Sequence, residues 1–182
     1  MKKKGFPKTY NINKLVNVLL NIKLGISNIV IPTYSHFFYD IIPYSKKVIE
    51  RSDIFIIEGL HILCPFLYQR QENDCLFLSN IFNFLIYLDA HELLLREWYL
   101  NRFLKLRYIS QFYPSSFFNI YSKMSYREAI NIADNIWYNI NYVNLKKNIL
   151  PTKKYANFVL TKNFNHNINS IQLMRKDNIR YH

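Results

Sequence analysis

Two uninterrupted apolar runs constrain the fold of this chain more than any other sequence feature. One occupies residues 53–60 (DIFIIEGL) and the other residues 83–88, ending at Asp89 and Ala90. Runs without polar alternation are typical of parallel strands covered on both faces. Because helical and strand patterns alternate along the chain, the sequence predicts an α/β fold with a parallel sheet flanked by helices.

The remaining patterns predict a single domain that spans residues 1–182. A helix is expected over residues 11–24 with Gly25 as its stop, and a second over residues 91–108. Ser125 and Glu128 form a capping-box pattern at the start of a long helix that reaches about residue 147. The other expected features are a turn near Pro43 and strands at residues 28–32, 46–50 and 155–160, with a weaker strand at 172–175.

The net charge of +12 leaves two explanations open. One is an anionic partner, and the other is an AT-rich codon bias that enriches Lys, Asn, Ile, Tyr and Phe together. No basic cluster alternates with aromatic residues, so no nucleic-acid partner is predicted. Acidic residues interrupt the long apolar stretches, so no membrane partner is predicted. Two cysteines without metal spacing and a basic start without an apolar segment behind it favour a cytoplasmic location.

Three residues in the first half of the chain are candidates for ligand contact. Glu58 ends an apolar run, where a carboxylate faces a ligand or caps a neighbouring backbone group. Tyr34 and His36 point to the same side of an extended segment. Such a pair either holds a polar ligand or simply packs, and the residues alone leave both options open.

A second group of candidates lies on the predicted helices. Tyr99 and Arg102 are three residues apart and share a helix face. The guanidinium of Arg102 suits phosphate, although a solvated arginine beside core aromatics fits the same pattern. Asn141 places an amide on an apolar helix face, where it needs either a ligand or a backbone carbonyl.

Taken in order, these residues resemble the type I (bacterial) pantothenate kinases. The resemblance covers nearly all of the chain, and several long motifs recur in the family's order with compatible spacing. They are KGFP at residues 4–7, PTYSH through YD at 32–40, residues 53–60, WYLNRFLK at 98–105, NLKKNILPT at 144–152 and LTK at 160–162.

The resemblance implies a P-loop kinase-like fold and transfer of the γ-phosphoryl group of ATP to the hydroxyl of pantothenate, the first step of coenzyme A synthesis. It implies ATP and Mg²⁺ as the cofactors, coenzyme A as an inhibitor that competes with ATP, and a homodimer. Kinases that act on uridine or phosphoribulose are a related alternative, but the motifs around Tyr34 and Trp98 fit pantothenate kinases better.

The resemblance also assigns roles to individual residues. Arg102 matches a residue that meets the charge of the transferred phosphate, and Lys162 and His166 match positions near adenine. The positions that match contacts to pantothenate or to the inhibitor are Tyr34, His36, Tyr39, Tyr99, Phe118, Tyr121, Ile136, Ile140 and Asn141. The sequence departs from the family pattern at Leu106 and Phe117, where an aromatic residue and a tyrosine are expected.

A larger departure concerns the phosphate-binding loop. The three glycines, Gly5, Gly25 and Gly59, do not form the G-x-x-x-x-G-K-[ST] pattern that cradles phosphates and supplies a lysine. The sequence is therefore expected to be the C-terminal, N-terminally truncated part of such a kinase, with the catalytic aspartate outside it. The alternative function is a non-catalytic remnant, or a split-enzyme fragment with a separate N-terminal partner, that at most binds pantothenate or coenzyme A.

Overall fold

A computed structural model of the chain describes residues 4–64, 67–69 and 75–174. Its helices are α1 (Ile12–Lys23), α2 (Glu92–Ser110), α3 (Tyr126–Ile136) and the short α4 (Tyr142–Asn144). Its strands are β1 (Ile29–Ser35), β2 (Asp40–Ile49), β3 (Leu67–Gln69), β4 (Cys75–Phe77), β5 (Ile86–Ala90), β6 (Phe158–Lys162) and β7 (Ile168–Leu173). Tight 3₁₀ turns occupy Pro7–Thr9, Leu78–Ile81, Phe117–Tyr121 and Leu150–Tyr155.

The strands form three separate sheets. In the largest, β5 pairs with β6 in parallel, and β6 pairs with β7 in antiparallel orientation. The other two sheets are the antiparallel pairs β1–β2 and β3–β4. A parallel pair needs a long crossover, and here the crossover carries α2, α3 and α4. The predicted class is confirmed: a mixed α/β fold whose sheet contains a parallel pair and is flanked by helices.

The buried strand predicted at residues 53–60 is wrong. This segment has no regular ladder, and it exposes 78% of Ile54 and 92% of Ile56. Within the described ranges, no strand pairs with it. An apolar run becomes a buried strand only where neighbouring strands satisfy its backbone and helices cover its faces. Glu58 is consequently an exposed residue of an irregular segment and not a carboxylate at a strand end.

Other boundaries differ from the expectations in smaller ways. Pro43 lies inside β2 and not in a turn, which a two-stranded hairpin tolerates because both of its strands are edge strands. The final predicted strands become β6 and β7, with ends shifted by a few residues, and Arg175 lies outside the described residues. The short strands β3 and β4 were not predicted, because three residues give no readable periodicity.

The predicted helices are confirmed, together with several of their end signals. Asn11 caps α1 through a bond that its side chain accepts from the Lys14 N–H at 3.0 Å, and Gly25 follows the helix with a φ of +72°. A positive φ is the conformation that glycine adopts without steric cost. Within the described ranges, no helix is both long and apolar enough to cross a lipid bilayer.

Three clusters of buried side chains form the core. Val16 and Leu19 of α1 pack against Leu78 and Ile81. A second cluster joins α2 to α3 and consists of Phe103, Tyr121, Ala129 and Ala133. The third lies beneath the parallel strands and consists of Tyr87, Ala156 and Val159. The second cluster carries the site, because its members and the side chains packed against it include the predicted residues Tyr99, Phe118, Tyr121 and Ile136.

The helical stretch after Ser125 is unusually wound. Its start is the predicted capping box: the Glu128 N–H donates to Ser125 Oγ at 3.2 Å, and the Ser125 N–H donates to the Glu128 carboxylate at 2.8 Å. Beyond α3, wide π-helical turns occupy Trp137–Asn141 and Leu145–Ile149. Such turns rotate the side chains that follow them and are frequent at functional sites.

Replacing Ser125 with alanine is expected to lower the free energy of unfolding by about 1 kcal/mol, because the first turn of α3 loses its side-chain acceptor. Urea denaturation followed by circular dichroism measures this difference. Ser122→Ala is the matched control, since the Ser122 side chain makes no hydrogen bond to another described residue, and it should change stability by less than about 0.5 kcal/mol. Equal effects of the two substitutions would contradict a stabilising role for the capping box.

Candidate functional site

Helix α2 presents three of the residues at the centre of the candidate site. Tyr99 points toward the aromatic side chains around Tyr39, whereas Trp98 points toward the turn between β6 and β7. Arg102 is exposed, and within the described part of the chain its guanidinium makes no hydrogen bond or ion pair. It lies one helical turn from both aromatic residues, so its charge is available to a ligand between them.

A group of stacked rings forms the first part of the site; it is called the aromatic cluster here. Tyr39 stacks on Phe117 with ring centroids 4.6 Å apart and an angle of 22° between the rings. Phe118 contacts both Tyr39 and Phe103 edge-on, at 6.3 and 5.9 Å. Its members are Tyr39, Tyr99, Phe103, Phe117, Phe118 and Tyr121. The structure therefore brings together Tyr39, Tyr99, Phe118 and Tyr121, which the sequence predicted as substrate contacts.

Tyr39 is held from the N-terminal side by Lys4. The Lys4 ammonium donates a hydrogen bond to the Tyr39 carbonyl and lies 4.4 Å from the centroid of the Tyr39 ring. The backbone of Tyr39 has a φ of +57°, a conformation that is uncommon outside glycine and needs supporting contacts. Lys4 and Phe117 supply such contacts, so two distant parts of the chain position Tyr39.

Tyr99 is tied to Asn141 at the base of the aromatic cluster. Burial raises the pKa of the Tyr99 phenol to about 12, and a hydrogen bond with the Asn141 side chain partly offsets that rise. Asn141 ends the first π-helical turn, which carries its amide to the side of α2. The phenol thus stays protonated at neutral pH and is available as a hydrogen-bond donor.

The remaining predicted contacts lie around this cluster. The rings of Tyr34 and His36 meet edge-on at 5.3 Å, and both side chains are exposed. Burial raises the pKa of Tyr34, and Tyr39 and Asp40 raise it further, which places Tyr34 within electrostatic reach of the aromatic cluster. Ile136 packs against the core beneath Phe103, and Ile140 is half-buried in the turn before Asn141.

Lys162 and His166 form a separate part of the site with a residue that the sequence prediction missed. The imidazole of His166 stacks on the indole of Trp98, with centroids 4.1 Å apart and an angle of 30°. The Lys162 ammonium lies 5.7 Å from the centroid of the same indole. Trp98 was part of a motif, but helix periodicity alone gave no sign that it reaches the β6–β7 turn. These three residues are called the Trp98 group below.

A buried polar network connects the N-terminal segment to α4. The Gly5 carbonyl accepts from Asn144 Nδ2 at 2.8 Å and lies 2.5 Å from His61 Nε2. His61 Nδ1 lies 3.4 Å from Cys64 Sγ, and burial raises the pKa of that thiol to about 11. The network fixes Gly5, and with it the adjacent Lys4 that contacts Tyr39.

The described residues do not provide a complete metal site. They contain no group of three or more His, Cys, Asp or Glu side chains that could hold a metal ion. Asp89 is engaged by Lys153, whose ammonium lies 2.6 Å from the carboxylate, and Glu58 is exposed in an irregular segment. The described residues therefore do not fit a bound Mg²⁺ on their own.

A shallow groove of about 370 Å³ lies elsewhere, between α2 and α3. It is lined by Leu93, Leu100 and Tyr126 among others, and none of the predicted site residues lines it. The groove is therefore distinct from the aromatic cluster and from the Trp98 group.

The fold and these residues define a kinase-like α/β protein, with aromatic side chains, an exposed arginine and other cationic groups arranged around one helix. Comparison with known sequences gives the family: the chain belongs to the phosphoribulokinase / uridine kinase family, whose model matches residues 5–110.

Individual relatives are pantothenate kinases. The chain is 44% identical to the pantothenate kinase of Cronobacter sakazakii over 175 residues, which is 96% of this chain and 55% of that protein. It is 42% identical to the pantothenate kinases of Salmonella heidelberg and Salmonella typhimurium, with the same coverage. The chain thus spans about half the length of the curated relatives it matches.

Acidification is expected to destabilise the fold through His61. Burial lowers the pKa of His61 below its usual value of about 6.5, against the opposing effect of its bond with Gly5. Below pH 6.5 the unfolded chain binds more protons at His61 than the folded chain does. The contribution of the uncharged His61 to stability is therefore fully present above pH 6.5 and is lost as the pH falls through the lowered pKa. Urea unfolding at about pH 7.5 and about pH 5 measures the loss.

His61→Gln is the comparison variant, because glutamine keeps an N–H donor but does not titrate. As the pH falls, the free energy of unfolding should decrease more for the wild type than for this variant. A difference that stays constant across this range would show that His61 does not titrate between the folded and unfolded states.

Proposed function

We propose that this protein is a pantothenate kinase, which phosphorylates pantothenate to 4′-phosphopantothenate with ATP at the first step of coenzyme A biosynthesis. The observation that carries the proposal is the guanidinium of Arg102, which is exposed, pairs with no other described residue, and lies one helical turn from both Tyr99 and Trp98. The relatives named pantothenate kinase, which match 96% of the chain, support the same substrate. In this proposal the two substrates lie on either side of Arg102, one at the aromatic cluster and the other at the Trp98 group.

Pantothenate occupies the side of the aromatic cluster. Its methyl groups suit the faces of Tyr39, Phe118 and Tyr121, because rings supply a large apolar contact area. The Tyr99 hydroxyl and the Asn141 amide, already joined to each other, hydrogen-bond to the polar groups of the substrate. Tyr34 and His36 close the exposed side, with Ile136 and Ile140 in the surrounding wall.

ATP occupies the side of the Trp98 group, with adenine near Lys162 and His166. Arg102 then meets the phosphoryl group in transit, and its planar fork of donors matches the phosphate oxygens. Stabilising charge that develops during transfer is the main task of a protein in phosphoryl transfer. Coenzyme A, which also carries an adenine nucleotide, competes with ATP for this side.

Other parts of the active site come from outside the described residues. Kinases also use a divalent metal and a phosphate-cradling loop, and this sequence contains no G-x-x-x-x-G-K-[ST] pattern. We propose that residues outside this sequence supply the loop and the catalytic base, with a homodimer as the assembled form and the cytoplasm as its location.

A second candidate function is a non-catalytic protein that binds pantothenate or coenzyme A. The observation that favours it is the same lack of a glycine-rich loop, because a chain that cannot cradle phosphates can still present the aromatic cluster to a ligand. Activity and binding measured on the same samples separate the two candidates.

Arg102→Ala is expected to slow phosphopantothenate formation by roughly 100-fold or more, because a charge aimed at the transferred group is lost. The reaction is measured with radiolabelled ATP, pantothenate and Mg²⁺, using this chain mixed with the unmatched remainder of the Cronobacter sakazakii relative. Pantothenate affinity, measured by calorimetry, should change by less than about twofold, since Arg102 acts on the phosphoryl group. Arg127→Ala, an exposed arginine on α3, is the matched control and should keep the full rate.

Two outcomes would count against the kinase proposal. If the wild-type mixture binds pantothenate but makes no phosphopantothenate, the non-catalytic function is the better description. If Arg102→Ala and Arg127→Ala have equal rates, Arg102 does not contact the transferred group.

A further inference from the structure

Asn144 is a buried polar residue to which the proposed function assigns no role. It exposes 4% of its surface and ends the short helix α4, which lies between the two π-helical turns. Its Nδ2 donates to the Gly5 carbonyl at 2.8 Å, and its Oδ1 accepts from Asn148 Nδ2 at 2.8 Å. Because both ends of the amide are bonded, its orientation is fixed and its donor is held toward Gly5.

The bond from Asn144 anchors a segment that lies 139 positions away in the sequence. A second donor reaches the same acceptor, because His61 Nε2 lies 2.5 Å from the Gly5 carbonyl. A carbonyl has no proton to donate, so Nε2 carries the proton, and Nδ1 accepts from the Cys64 thiol at 3.4 Å. The Gly5 carbonyl thus accepts two bonds, one for each of its lone pairs, which fixes the backbone at this residue.

Lys4 carries this constraint from Gly5 to Tyr39. It directly precedes Gly5, so the anchored carbonyl limits where its side chain starts. Its ammonium bonds to the Tyr39 carbonyl and lies 4.4 Å from the centroid of the Tyr39 ring. A lysine side chain loses much conformational entropy when it is held in one place, so a fixed backbone lowers the cost of these contacts. Tyr39 depends on them, because its φ of +57° is uncommon outside glycine.

We propose that Asn144 is a positioning residue for the substrate site: through Gly5 and Lys4 it holds Tyr39 in its stack on Phe117. The inference rests on the proposed function for the identity of the substrate, pantothenate, but not for the placement of Tyr39. Asn144 acts through these neighbours and takes no part in phosphoryl transfer. Its donor shares the Gly5 carbonyl with a second donor, so its loss weakens the hold on Tyr39 without unfolding the N-terminal segment.

Asn144→Asp tests the role of the donor on the full chain with little change in side-chain volume. The carboxylate still accepts from Asn148, but it presents an oxygen to the Gly5 carbonyl in place of an N–H. In a sample with ring-labelled tyrosine, nuclear magnetic resonance reports the stack, because the neighbouring ring shifts the Tyr39 signal. In Asn144→Asp that signal should move toward the signal of the exposed Tyr44. Asn144→Ala, which removes the donor without adding charge, should give the same shift and replaces the aspartate variant if that variant does not fold.

Thr152→Val is the matched control for the loss of a buried polar group in the same region. Thr152 also exposes 4% of its surface, and its hydroxyl donates to the Ile149 carbonyl at 2.7 Å. The substitution removes that bond and leaves both donors to Gly5 in place. The Tyr39 signal should therefore stay where it is in the wild type.

A double-mutant cycle with Lys4→Met separates positioning from a general loss of stability. If Asn144 acts through Lys4, Asn144→Asp should not move the Tyr39 signal further once the ammonium has been removed. Pantothenate affinity, measured by calorimetry, should follow the same pattern. Each single substitution should weaken binding by roughly tenfold, and the double variant should be no weaker than the single variants.

Three results would overturn the proposal. They are a Tyr39 signal that Asn144→Asp leaves unchanged, an equal movement of that signal in Thr152→Val, and effects of Asn144→Asp and Lys4→Met that add in the double variant. None of these measurements requires phosphoryl transfer. If the wild type binds no pantothenate but its Tyr39 signal responds as expected, the proposed function is wrong and the positioning role of Asn144 is supported.

Discussion

The parallel pairing of β5 with β6 is the constraint on which the rest of the structure depends. Two parallel neighbours cannot be joined by a tight turn, so the chain leaves β5 at Ala90 and returns at Phe158 through a long crossover. All of α2, α3 and α4 lies in that crossover. The Lys153 ammonium, 2.6 Å from the Asp89 carboxylate, ties the returning chain to the end of β5. The ladder thereby fixes where α2 begins, and with it the site.

Helix α2 is the shared wall of the two halves of the site. Consecutive residues on a helix point about 100° apart, so Trp98 and Tyr99 contact different neighbours without competing for space. The bidentate pair between Arg96 and Asp134, with bonds of 2.9 and 2.7 Å, holds α2 against α3 beside them. Because one helix carries Trp98, Tyr99 and Arg102, the relative placement of the aromatic cluster and the Trp98 group is set by helix geometry and not by a flexible loop.

Features encoded by a few adjacent residues were predictable from the sequence. Ser125 and Glu128, or Asn11 before α1, stabilise a helix end through neighbouring groups, so their pattern suffices. The stack of Trp98 on His166 was not predictable, because it joins two residues that are 68 positions apart in the sequence. The strand predicted at residues 53–60 was wrong for the converse reason. Their composition encodes a strand, but strand formation depends on neighbours that a local pattern does not contain.

The exposed run at residues 53–59 has a consequence for the lifetime of the chain. Proteases bind their substrates as extended strands with apolar side chains in pockets, and this run offers that form without prior unfolding. We therefore expect limited proteolysis of the folded chain to cut first within this run. Such a cut would separate α1 and Tyr39 from the helices that complete the aromatic cluster.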